Sequence, residues 1–279
     1  MAMRIDIIDV FGRGPLGGNP LAVVHGGEHL DTAAMLRLTA WLGFSETTFL
    51  LPPDVPGADY HVRIFCPGRE LPFAGHPTLG SCHAWLAAGG RPAGEAIVQQ
   101  CGVGLVPIRR IEGLLAFRAP PLRKGGPLSR EELRAAIGLC HVPEAAVIEA
   151  VHADNGPGWQ LLRLDSLATL LAAEPALRAP PGTDIGLIAK APPGSDSDWE
   201  LRAFFVDATG RLKEDPVTGS LNAAAALHLF GNGLAKARYV AAQGRKVGAD
   251  GRVVCIEADG GAWVAGHTAM VAAGAALAI

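Results

Sequence analysis

Four ionisable residues, Glu70 with His76 and Glu214 with Asp215, sit inside two copies of one short motif. Glu70-Leu-Pro72-Phe-Ala-Gly75-His76 and Glu214-Asp215-Pro216-Val-Thr-Gly219-Ser220 share Glu-x-Pro-x-x-Gly, and Glu214 lies 144 residues after Glu70, about half of the 279-residue chain. In each copy the chain turns through a glycine into a helix-like run; Pro77 suits the first turn of one helix and Ser220 can cap the other. The first N–H groups of a helix have no acceptor within it, so Gly75-His76 and Gly219-Ser220 would present free amides at a positive helix end. If the two halves face each other, both ends converge on one cleft suited to a carboxylate or an enolate oxygen. His76 and Asp215, one from each copy, would bring groups able to move or hold a proton.

The elements that must position these residues repeat as well. Each motif follows a strand of the pattern apolar-Arg-apolar-Phe (Val62-Arg63-Ile64-Phe65 and Leu201-Arg202-Ala203-Phe204), and each helix-like run ends in glycines, at Gly89-Gly90 and at Gly231-Asn232-Gly233. Duplication of one αβ unit accounts for the offset. Further β-type runs are Arg4–Val10, Leu21–Val24, Thr47–Leu51, Tyr60–Phe65, Leu114–Ala119, Trp159–Leu164, Leu201–Val206 and Val253–Ala258. Asp31 caps a predicted helix ending at Gly43, Ser129 with Glu132 spells a capping box for one ending near Gly138, and Asp165 or Ser166 starts a third. Arg118–Gly126, rich in Pro and Gly, reads as a linker, and Ala179–Asp198 is a second Pro/Gly/Ser-rich stretch.

Composition removes several function classes. With 49% hydrophobic and 18% charged residues the chain can bury a large core, and a formal charge of -3 offers no basic excess for a phosphate backbone, so no nucleic-acid partner is expected. Five cysteines without a C-x-x-C pair indicate neither a disulfide framework nor a thiolate zinc site, and a reducing cytoplasm fits. No metal site is expected: His25 and His29 flank Gly26-Gly27 in a predicted turn, and there is no His-Glu-x-x-His. Gly12-x-Gly14-x-x-Gly17 formally matches a dinucleotide fingerprint, yet Asn19-Pro20 and a β-type run follow where a helix should begin. The uncharged stretch Gly260–Ile279, mostly Ala and Gly, reads as buried terminal strands and not as a membrane span.

Five segments, in order, carry a family resemblance: Gly18-Asn19-Pro20-Leu-Ala-Val-Val24, Phe44-Ser45-Glu46-Thr47-Thr48-Phe49, Arg63-Ile-Phe65, the Glu70–Pro77 motif and the Glu214–Ser220 motif. Together they resemble the PhzF family of phenazine biosynthesis proteins, of the diaminopimelate epimerase-like superfamily. The resemblance spans nearly the whole chain. It implies an α/β (α+β) protein of two pseudo-symmetric domains, each a curved mixed sheet around a central helix, with the active site between them. The halves would be residues 1–118, completed by a terminal strand over 269–279, and residues 119–268. It also implies a homodimer and a reaction on a small carboxylate that needs no cofactor.

Carried over by position, the resemblance makes Glu46, His76 and Asp215 the catalytic residues, and Asn19, Gly75, Gly219 and Ser220 the substrate-binding ones. Asn155-Gly-Pro157 matches a further family segment. Two departures bear on the substrate and not on the fold: Gly248-Ala-Asp-Gly-Arg252 replaces the usual Gly-Arg-Pro-Gly/Ser, and Gly158 stands where phenazine-pathway members have a basic residue. The implied chemistry is an isomerisation like that of trans-2,3-dihydro-3-hydroxyanthranilate, a proton moved between carbons of a cyclic or unsaturated carboxylate. A glutamate beside Phe44 and an apolar strand could have its pKa raised by desolvation, which suits a base. The alternatives are a carboxylate-binding protein without turnover, and an amino-acid epimerase. The two-cysteine mechanism of superfamily racemases is disfavoured, since no cysteine lies in either motif.

Overall fold

The computed structural model describes residues 3–207 and 209–278; Met1, Ala2, Ala208 and Ile279, which fall within the expected halves and terminal strand, lie outside the described residues. The chain forms two compact units, Met1–Arg118 with Ala265–Ile279, and Ala119–Val264.

The first unit runs β1 (Arg4–Val10), β2 (Asn19–His25), α1 (Thr32–Leu42), β3 (Glu46–Leu51), β4 (Tyr60–Cys66), β5 (Arg69–Leu71), α2 (Gly75–Ala87), β6 (Ile97–Cys101), β7 (Gly104–Ile111) and β8 (Leu114–Arg118). β1 pairs antiparallel with β2, β2 parallel with β3, β3 antiparallel with β4, and β4 parallel with β6. A mixed sheet results. Helix α1 covers one face, burying Met35 and Leu38 against Val24, Phe49 and Phe65. Its Asp31 side chain accepts from the Ala34 amide, and Gly43 ends it in the left-handed conformation, a cap that L side chains resist.

Helix α2 is a different kind of element. It is buried almost all round, packs against β1, β2, β3 and β8, and is built from small residues where strands come close. A Cβ on Gly80 would lie 2.5 Å from a methyl of Leu21, so glycine there sets how tightly the sheet wraps the helix.

The second unit repeats this order. After α3 (Arg130–Cys140) come β9 (Val147–His152), β10 (Gln160–Leu164), α4 (Leu167–Ala172), β11 (Asp184–Lys190), β12 (Trp199–Val206), β13 (Leu212–Asp215), α5 (Gly219–Gly231), β14 (Arg238–Gln243), β15 (Gly251–Ala258) and β16 (Gly261–Gly266). β9 pairs antiparallel with β10, β10 parallel with β11, β11 antiparallel with β12, and β12 parallel with β14, the sequence of orientations found in the first unit. Helix α5 is buried as α2 is, and Gly186 gives way to Leu221 as Gly80 does to Leu21. Helices α3 and α4 cover the far face, packing Ala136, Cys140 and Leu170 on Leu162, Leu187 and Phe204. Each unit is thus a mixed sheet around a central helix, and the protein is α+β.

Some expectations need correction. The Pro/Gly/Ser-rich stretch Ala179–Asp198 contains a strand that the β-type runs did not include, β11, whose run Ile185-Gly-Leu-Ile-Ala189 is fully buried and therefore lacks the polar alternation that marks a strand. The capping-box helix continues past Gly138 to Cys140 and ends on His141 at φ 50°. The terminal segment forms β17 (Thr268–Ala276), which pairs antiparallel with β1, but its side chains from Val271 onward are exposed and not buried. Alanine and glycine carry so little apolar area that exposing them costs little. The Gly12–Gly18 turn serves packing: Cβ atoms on Gly12 and Gly18 would lie 2.5 and 2.6 Å from the carboxylate oxygens of Asp9, which accepts the Gly18 amide at 2.8 Å. β2 follows it directly.

Candidate active site

Within the first unit, strand and helix bring two of the named residues together. Glu46 opens β3 beside Leu21 of β2, and His76 is the second residue of α2. Glu46 Oε2 stands 3.6 Å from His76 Nε2, beyond hydrogen-bond length but close enough for one polar atom to contact both. His76 is 3% exposed and its Nε2 makes no hydrogen bond among the described residues. Burial pushes the imidazole pKa down to about 3, so it is neutral near pH 7 and acts as a hydrogen-bonding group, not as a cation. Asn19, the first residue of β2, is fully buried. Gly75 is the first residue of α2, whose cap residue Ala74 offers no side-chain acceptor, so the first amides are not closed off by a cap.

In the second unit, Asp215 ends β13 and Gly219-Ser220 begin α5. Ser220 is not the cap: Thr218 occupies that position, and its hydroxyl donates to Asp215 Oδ2 at 2.6 Å in place of capping the helix. Ser220 instead takes the Trp159 indole N–H on its Oγ (3.1 Å) and the Asn155 amide on its carbonyl (2.9 Å).

A residue no motif named holds this turn. Gln243, 1% exposed at the end of β14, accepts from the Thr218 amide and from Asn222 Nδ2, and donates to the Asp215 carbonyl and to Thr218 Oγ1. Its counterpart is Gln99 at the same 144-residue offset, fully buried and bonded to Thr78 of α2 and Tyr60 of β4. The offset between two glutamines was the available signal, and it is visible only once the duplication is taken as a register. The arginines of the repeated strand pattern behave alike too: Arg63 grips Glu70 and Arg202 grips Glu214, each with two hydrogen bonds, and each guanidinium lies over the phenylalanine two residues on. The motif glutamates are therefore braces, which leaves Asp215 and His76 as its chemical groups.

The segment Gly248–Arg252 reaches the same turn. A Cβ on Gly244 would meet the Pro216 carbonyl at 2.5 Å, and one on Gly251 would meet a Val217 methyl at 2.4 Å, so the loop that departs from the family pattern packs against the motif. Gly158 has nothing within 4 Å of a Cβ. The five cysteines are free, and burial pushes Cys82, Cys140 and Cys255 up to about 12 and raises Cys66 and Cys101, which leaves no thiolate base near neutral pH. Among the described residues there is no cluster of three or more potential metal ligands, and no helix is long and apolar enough to cross a membrane.

The model of the phenazine biosynthesis-like protein family matches residues 8–274. The chain belongs to that family. Similar relatives include trans-2,3-dihydro-3-hydroxyanthranilate isomerase of Pseudomonas aeruginosa, 34% identical over 81% of this chain and 79% of the relative, and antisense-enhancing sequence 1 of Schizosaccharomyces pombe, 33% identical over 76% and 75%. Among solved structures, a Pseudomonas aeruginosa protein described as a predicted epimerase superposes with a TM-score of 0.79 at 27% identity, covering 99% of both chains. A probable proline racemase from Agrobacterium radiobacter shares the fold alone, with a TM-score of 0.57 at 13% identity over 96% of this chain and 90% of that one. The family member described here is accordingly an enzyme of the isomerase class.

Proposed function

We propose that this chain moves a proton between two carbons of a small cyclic or unsaturated carboxylate, without a cofactor, and that Glu46 carries the proton. The juxtaposition of Glu46 and the neutral His76, 3.6 Å apart and largely shielded from water, is the observation that carries this reading. The Glu46 carboxylate takes a proton from one carbon, the double bond shifts along the conjugated system, and the resulting Glu46 acid returns the proton to a second carbon. No net charge or electron is gained or lost. His76, neutral in its buried setting, hydrogen-bonds the substrate or the carboxyl group throughout the transfer.

In the same proposal Asp215, whose carboxylate accepts from the Thr218 hydroxyl, and the Gly219 and Ser220 amides bind the substrate's anionic group. The relative named trans-2,3-dihydro-3-hydroxyanthranilate isomerase makes that compound the first substrate to try. The homodimer implied by the resemblance and the cytoplasmic setting that the cysteine usage fits belong to the same proposal, and light scattering of the purified chain tests the former.

The deciding experiment is turnover in D2O with that compound and a panel of unsaturated carboxylates. Wild type is expected to place solvent deuterium on carbon, and Glu46→Gln, which keeps the shape but not the base, is expected to abolish this while binding within about tenfold of wild type. Wild-type turnover by Glu46→Gln would remove Glu46 as the base and make Asp215 the leading one. Ligand-induced thermal shift without exchange in wild type would identify a binding protein.

A further inference from the structure

One polar atom beside Ser220 is unused. Asn155 is 3% exposed; its Nδ2 donates to the Ser220 carbonyl at 2.9 Å, while its Oδ1 accepts no hydrogen bond among the described residues. A buried amide oxygen left without a donor costs about 1–3 kcal/mol, so a ligand group that donates to it gains that much over one that does not. The amide is anchored to the first turn of α5, and Trp159, four residues on, is bonded to the Ser220 hydroxyl. Two side chains from the segment between β9 and β10 are thus fixed onto the helix end whose amides face an anion in the reading above.

The duplication points the same way. The segment joining β1 to β2 delivers the buried Asn19 at the start of β2, and the corresponding segment joining β9 to β10 delivers the buried Asn155. Each half therefore brings one buried carboxamide on the connection into its second strand.

We infer that Asn155 Oδ1 accepts a hydrogen bond from the substrate, and that it selects carboxylates bearing an amino or hydroxyl donor near the carboxyl group over those bearing none. This rests on the proposed function, because it takes the α5 amides as the seat of the carboxylate. The physical basis for selection is asymmetric: a ligand with the donor satisfies the oxygen, and one without it leaves the oxygen buried and unpaired.

Three stable probes separate the possibilities: benzoate, 2-aminobenzoate and 3-hydroxybenzoate, titrated by calorimetry into the full chain. Wild type is expected to bind at least one substituted probe about tenfold more tightly than benzoate, and Asn155→Ala to lose that preference, read as the ratio of the affinities for substituted probe and benzoate within the variant. Asn155→Ser, uncharged and too short to place an acceptor where Oδ1 stands, is expected to lose the preference as well, which covers the case in which Asn155→Ala does not fold. Equal binding of all three probes by wild type would overturn the inference and assign the Oδ1 partner to water, leaving the proposed function intact. A preference that survives in Asn155→Ala or in Asn155→Ser would also overturn it. Binding of none of the three by wild type would overturn the proposed carboxylate site and this inference with it.

Discussion

His76 Nε2 faces Glu46 Oε2 across 3.6 Å, and the histidine, not the glutamate, is the more deeply buried of the two, at 3% against 17% side-chain exposure. A carboxylate beside a protonated imidazole would form an ion pair and lose basicity. Burial removes that proton from His76, so the two groups meet as a carboxylic group and a neutral hydrogen-bonding ring.

This arrangement makes the fold acid-sensitive in a defined window. His76 has a folded pKa near 3 against about 6.5 when unfolded, so between these values the unfolded chain binds more protons and stability falls as pH falls. His25 and His83, both lowered chiefly by desolvation, act in the same direction. The contribution of His76 is complete above pH 6.5 and falls by at most about 1.4 kcal/mol per pH unit below it. Denaturant melts of wild type and His76→Gln from pH 4 to 7 should show a shallower pH slope in the variant. An identical slope would mean that His76 is protonated in the fold.

The duplicated braces give a comparison inside one chain. Arg202 and Glu214 are buried at 4% and 7% side-chain exposure, whereas Arg63 and Glu70 stand at 22% and 39%. Arg202 also donates to the Leu170 and Ala173 carbonyls at the end of α4. Arg202→Ala should destabilise by about 3–5 kcal/mol, since it strands a buried carboxylate. Arg63→Ala should cost about 1 kcal/mol or less in the same urea titration, because water reaches both partners.

Gln243→Leu should separate binding from gross unfolding less cleanly but in a predictable direction. Four partners of the Asp215–Asn222 turn lose their bond to it, and a loss of about 2–4 kcal/mol with weakened carboxylate binding is expected. Gln99→Leu removes the counterpart in the first unit and should cost a similar stability in thermal melts.

At the start of α5, backbone and side chain contribute differently. Gly219→Val places a branched side chain beside the amides and should reduce benzoate or sulfate binding more than Ser220→Ala does. Ser220→Ala carries its own cost of about 1–3 kcal/mol, because the buried Trp159 indole N–H loses its acceptor. Calorimetric titration and melting of both variants check the two halves of this statement.

The sequence by itself determined the duplication, most of the strands, the caps at Asp31 and Ser129 and the family. These are local signals: a turn glycine, a capping pair or an alternating strand announces itself within a few residues. It did not show β11, because a strand buried on both faces has no polar alternation to reveal it, and it did not foresee the exposure of β17, because an uncharged run says nothing of how little area alanine buries. It named Glu46 and His76 separately, but their 3.6 Å separation depends on β3 and α2 meeting in the fold. For Gln243 it held only the 144-residue offset from Gln99, and for Asn155 it gave no sign of an Oδ1 without a donor among the described residues, since a glutamine or an asparagine acquires a role only when tertiary structure buries it and decides which of its hydrogen bonds are made.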